Sequence, residues 1–106
     1  MIEELRHYVA TPGKRAALVA RFKNETMALF ERHGIAVTAF WTARDEPETL
    51  YYLCRFADGA ARDAAWKSFL ADPDWAAVRA ASERDGALVA SLTGIMLDRV
   101  DGFPTK

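Results

Sequence analysis

Glu4, Arg6 and Tyr8 occupy alternate positions near the start of the chain. In an extended strand alternate residues share a face, so a carboxylate, a guanidinium and a phenol stand side by side. The N–H fork of Arg6 suits a substrate carboxylate or enolate, and Tyr8 can donate a hydrogen bond or a proton. Arg6 and Tyr8 are therefore the candidate catalytic residues, with Glu4 as a substrate-binding neighbour. The competing account is a structural Arg–Glu pair with Tyr8 packed on the sheet. It is the simpler of the two, because ion-pair networks often resemble sites. Trp41 and Tyr52 are the further substrate-binding candidates: both fall where a flat apolar ligand could rest, and core or dimer-interface packing accounts for them equally well. Trp66 and Trp75 sit on helical stripes and read as core.

The remaining reactive side chains are sparse. His7 points away from Arg6, between Leu5 and Val9, and reads as a hydrogen-bonded core or interface residue. His33 precedes Gly34 in the last turn of a helix, where an imidazolium gains from the helix dipole. Two histidines and one cysteine at unrelated spacings make no recognisable metal set, so neither a metal nor a cofactor is expected. A haem protein using His7 or His33 is the weakest alternative. There is no glycine-rich phosphate loop and no G-x-S-x-G elbow. Cys54 lies within a strand pattern and reads as a buried small hydrophobe, a poor thiolate.

The elements that must position these residues follow from periodicity. Ile2 to Ala10 alternates as a strand. Thr11 can cap a helix and Pro12 suits a first turn. Lys14 to His33 then carries a helical stripe of Leu18, Phe22 and Leu29, with Arg15, Arg21 and Lys23 mostly off it. Gly34 marks its end. Ile35 to Ala43 is a second strand, with Ile35, Val37, Ala39 and Trp41 expected on one face and Ala36, Thr38, Phe40 and Thr42 on the other. A short polar loop leads to a third strand, Thr49 to Phe56, as an antiparallel hairpin. Asp58 can cap a helix over Gly59 to Leu70, and Asp72-Pro73 restarts a shorter one. The last strand lies within Ala87 to Val100. The order β-α-β-β-α-β predicts an α+β, ferredoxin-like domain: a four-stranded antiparallel sheet with its helices on one face.

One domain is expected over residues 1–106, with a core at about 2–100 and an irregular tail at 101–106. The formal net charge of −1 gives no electrostatic case for nucleic acid or an anionic membrane. No apolar run approaches the ~20 residues of a membrane span, and Met1-Ile2-Glu3-Glu4-Leu5 lacks the character of a signal peptide. A single cysteine favours a reducing compartment, so the expected location is cytoplasmic. Strands two and three are apolar on both faces, and two helices cover only one. A homodimer with its open sheet faces packed together is the economical remedy.

Glu4-Leu5-Arg6-x-Tyr8 followed by Pro12-Gly13-Lys14, Gly34-Ile35 leading to Phe40-Trp41-Thr42, Asp58, Arg62-Asp63, Ala64 to Trp66 and Asp72-Pro73-Asp74-Trp75 together resemble the NIPSNAP-domain family over about residues 2–97. The resemblance implies a dimeric α+β barrel and says little of chemistry. Related barrels include cofactor-free monooxygenases, lactone isomerases, polyketide cyclases and some haem enzymes, generally with the site between helices and sheet. Two functions are thus expected: conversion or binding of a small apolar carbonyl or carboxylate compound without a cofactor, or a non-catalytic dimeric interaction module.

Overall fold

The computed structural model describes residues 1–104. Its four strands are β1 (Ile2–Ala10), β2 (Ala36–Thr42), β3 (Thr49–Phe56) and β4 (Val89–Leu97). They form one open antiparallel sheet in the order β2-β3-β1-β4. The two strands adjacent in sequence, β2 and β3, are the expected hairpin. This order puts β1 and β3 at the centre, where Leu50, Tyr52 and Cys54 of β3 are wholly buried under the helices.

Three helical runs cover that face. The first, α1, is continuous through Arg15–Arg21, Phe22–Thr26 and Met27–Arg32, and its middle portion is wound as a π-helix. The Thr26 hydroxyl donates to the Arg21 carbonyl five residues back at 3.3 Å, inside the widened turn. Leu18, Phe22, Thr26 and Phe30 are all buried. Three successive steps of four exceed the 3.6-residue turn of a regular helix, and the π segment absorbs the difference. The run stops at Gly34, whose φ of 75° is the left-handed conformation that glycine adopts freely. Ile35 N–H returns to the Phe30 carbonyl at 2.9 Å, closing the cap.

The start of α1 differs from expectation. Thr11 does not cap it: residues 11–14 form a turn, with the Lys14 amide on the Thr11 carbonyl at 2.8 Å, and the helix begins at Arg15. The other two helices start as the sequence predicts. Asp58 accepts from the Ala61 amide at 2.8 Å and opens α2 (Gly59–Leu70). Asp72 accepts from the Asp74 amide at 2.8 Å, with Pro73 in the first turn, and opens α3 (Pro73–Ser82).

An aromatic cluster packs between sheet and helices. Phe22 meets Phe30, Phe40, Tyr52 and Tyr8 at centroid distances of 5.0–6.1 Å. The opposite face of the sheet is bare. Across it run one row of Ala39, Leu53, Leu5 and Ile95 and another of Trp41, Tyr51, His7 and Thr93. His7 stacks on Tyr51 at 4.8 Å, and Trp41 and Ile95 are about half exposed (49% and 52%). No described helix is long and apolar enough to cross a membrane.

Candidate functional site

Glu4, Arg6 and Tyr8 do share a face, and it is the face under the helices. Glu4 is wholly buried, which is tolerable only because it is saturated with donors. Arg62 donates through Nε at 3.0 Å and Nη2 at 2.7 Å, Trp66 through Nε1 at 2.8 Å, and Arg6 through Nη1 at 3.2 Å. Arg62 and Trp66 are one helical turn apart on α2 and so reach the same carboxylate. Burial alone would push the Glu4 carboxyl up. The bonds from Arg62 and Trp66 and the charges of Arg6 and Arg62 outweigh it and hold the pKa below the usual range.

With Glu4 fixed, Arg6 is fixed too. Its guanidinium lies over the Trp66 ring, 4.3 Å from the centroid, and Nη2 donates to the Tyr8 hydroxyl at 3.3 Å. Tyr8 shares a 2.8 Å hydrogen bond with Tyr52. Tyr52 has no solvent exposure, and burial keeps its phenol neutral, well above the ordinary value. When Tyr52 and Arg6 both donate to the Tyr8 oxygen, the Tyr8 proton is left free to point elsewhere.

What it faces is a cleft of about 440 Å³ between the sheet and the helices. Arg6 and Tyr8 form its floor, and Phe22, Trp66, Phe69 and Leu92 contribute apolar walls. An apolar hollow with a few convergent polar groups is the usual form of a small-molecule site.

Of the five residues singled out from sequence, Arg6 and Tyr8 line this cleft. Glu4 and Tyr52 stand behind them as supports. Trp41 is elsewhere: a bulge between Val37 and Ala39 shifts the phase of β2. In consequence Phe40, not Trp41, stacks on Tyr52 (5.4 Å, 9° between planes), and Trp41 faces out from the bare side of the sheet.

Arg21 and Arg62 were missed. Arg21 had the look of a solvated helix residue, and Arg62 entered only among the residues that carry the family resemblance. The π turn brings Arg21 and Phe22, neighbours in sequence, to the cleft together. Arg21 donates to Glu83 at 3.0 Å and Ser82 at 3.1 Å, and its guanidinium lies 5.0 Å from the Trp75 ring centroid. The available signal was the four-residue spacing of the buried stripe in α1.

His33 does not line this cleft, though its ring meets the outer side of the cluster through Phe69, 6.1 Å between centroids. Its Nε2 bonds Asp72 at 2.7 Å and its Nδ1 bonds Ser68 at 2.6 Å. The trio ties the end of α1 to the α2–α3 joint. Ser68 sits inside α2, whose amides are committed to the helix ladder, so the free donors that a serine nucleophile needs beside it are missing. The His33 bond lowers the Asp72 pKa, helped by the Asp74 amide and Arg32 and opposed by partial desolvation. Cys54 is buried beneath the helices, and burial pushes its thiol up to about 12.

An antiparallel β2-β3-β1-β4 sheet with helices on one face and a polar-floored cleft between them defines a ferredoxin-like α+β domain. The sequence model of the NIPSNAP family matches residues 3–97, and the chain belongs to that family. A NIPSNAP domain protein from Burkholderia xenovorans superposes with a TM-score of 0.83 at 19% identity, covering 99% of this chain and all of that one. A NIPSNAP family protein of unknown function from Agrobacterium tumefaciens gives 0.84 at 18%, covering 98% and 92%. A putative antibiotic biosynthesis monooxygenase from Bacteroides thetaiotaomicron gives 0.67 at 21%, covering 99% and 95%. No curated protein matches the chain.

Proposed function

We propose that this NIPSNAP-family domain is a homodimer whose cleft binds a small, mostly apolar compound bearing a carbonyl or carboxylate. The observation that carries the reading is the cleft of about 440 Å³ with Arg6 and Tyr8 on its floor. Arg6 would receive the ligand oxygen and polarise it, while Tyr8 holds a proton for it. Tyr52 and Glu4 orient the two. Such a site suits cofactor-free chemistry at an enolisable carbonyl, of the oxygenase, isomerase or cyclase kind. The likeness in fold to the Bacteroides monooxygenase is in keeping with this but is analogy alone. The bare apolar sheet face supports the dimer. The free, buried Cys54 supports a reducing, cytoplasmic setting.

A second reading is favoured by one specific observation: Arg6 is already bonded to Glu4 and Tyr8. In that reading the domain is a non-catalytic dimeric module. Titration of a biphenyl monocarboxylate against the tryptophan fluorescence separates the two. Saturable quenching in the wild type, lost in Arg6→Gln with the circular dichroism intact, is expected for a ligand site. No binding of this probe, or of alkyl carboxylates and cyclic ketones, would leave the module.

A further inference from the structure

The cleft has two charged ends rather than one. At the first, Arg6 and Arg62 surround the single carboxylate of Glu4. At the second, Arg21 and Arg79 surround the single carboxylate of Glu83. Each end therefore sets two guanidinium groups on one carboxylate, with Arg6 and Arg21 the more buried member of each pair. Asp63 also pairs with Arg62, and both Asp63 and Arg79 are largely exposed (75% and 62%), so water screens their charges alike.

Between the ends runs an aromatic wall. The Arg6 guanidinium lies over Trp66; Trp66 and Phe69 are 6.0 Å apart, Phe69 and Trp75 4.9 Å, and the Arg21 guanidinium is 5.0 Å from Trp75. Arg6 and Arg21 both line the cleft. The Arg21 side chain is only 6% exposed, so it is held inward rather than snorkelling to solvent.

We propose that the ligand is bipolar: an elongated, flat apolar body with an acidic or carbonyl oxygen group at each end. One group is bound at Arg6 and the other at Arg21, with the body lying along Trp66, Phe69 and Trp75. This rests on the cleft reading above and goes further by assigning a second oxygen-binding end and so a substrate class.

The test compares a biphenyl monocarboxylate with the biphenyl dicarboxylate bearing one acid at each far end, by calorimetry on the full chain. The dicarboxylate is expected to bind roughly tenfold tighter or more, as one added charge-assisted contact would give. That advantage should vanish in Arg21→Gln and shrink in Arg79→Gln. Arg79 is 62% exposed, so the latter change leaves the core intact should Arg21→Gln fail to fold. Equal affinity of the two probes in the wild type overturns the bipolar ligand and leaves the single-ended site standing. Failure of both probes to bind overturns the bipolar ligand, and failure of alkyl carboxylates and cyclic ketones as well removes the cleft reading with it.

Discussion

Gly94 of β4 leaves the space that the Glu4 carboxylate fills. A Cβ at Gly94 would overlap Glu4 Oε2 and press to 3.1 Å from Arg6 Nη1. A side-chain tip normally yields to such a methyl group, but this one is held by Arg62, Trp66 and Arg6. Gly94→Ala is therefore expected to cost about 1–3 kcal/mol, as overpacking of a fixed interior does. That lowers the melting temperature by roughly 4–8 °C per kcal/mol in a domain this size. Gly59→Ala, with open space around its Cβ, is the control and should change little. Equal melting points for the two variants would show that Glu4 is free to move.

Glu4 also makes a prediction about acid. Its pKa in the folded protein lies below the unfolded value of about 4.3. The stability it contributes is therefore fully present above that value and is lost as pH falls through the lower, folded one. Glu4→Gln should be less stable than wild type by about 3 kcal/mol at neutral pH, since it strands buried arginine charge. The gap between the two should close as pH drops below about 4. Urea unfolding at neutral pH and in acid measures it, and the comparison cancels the Asp72 contribution, which has the same sign. A gap that stays constant with pH would mean that folding leaves the Glu4 pKa unshifted.

The Tyr8–Tyr52 bond can be weighed directly. Tyr8→Phe leaves the Tyr52 hydroxyl without its partner in a fully buried position, at a cost of about 1–3 kcal/mol. Removing both hydroxyls should cost less than the sum of the single changes. A double-mutant cycle in denaturant is expected to give a coupling of about 1 kcal/mol. Strict additivity would place the two phenols apart in solution.

The bare sheet face is tested without touching the cleft. Ile95 stands on it, half exposed, in a row with Leu5 and Leu53. Sedimentation velocity should find a dimer in the wild type and a folded monomer in Ile95→Glu, because a charge there costs the monomer little and a dry interface a great deal. A wild type that sediments as a monomer at micromolar concentration would end the dimer proposal.

Much of this architecture was legible in the sequence, and the reasons differ by element. β1 alternates without interruption, so Glu4, Arg6 and Tyr8 were correctly grouped on one face. The aspartate caps at Asp58 and Asp72 and the glycine at Gly34 are local chemistry, and they set the helix ends as read. β2 was misread past Val37 because one extra residue in a strand inverts every later side chain. That moved Trp41 to the far face and let Phe40 into the core. Arg21 was overlooked for a kindred reason: helical periodicity assumes 3.6 residues per turn, and α1 departs from it. Neither Glu4's partners on α2 nor Arg21's partners on α3 could be read, since pairing across elements depends on how the elements pack.

The π segment of α1 implies an unusual tolerance to loss of a residue. Leu18 and Phe30 are twelve positions apart, and deleting exposed Asn24 would make that eleven, close to three regular turns. A mid-helix deletion normally rotates everything beyond it off the core. Here it would restore the ordinary helical ladder and keep both anchors facing inward. What it would forfeit is the widened turn that presents Arg21 and Phe22 side by side. The surplus residue in α1 thus belongs to the cleft and not to the core, so shortening the chain by one would separate folding from binding more cleanly than any substitution.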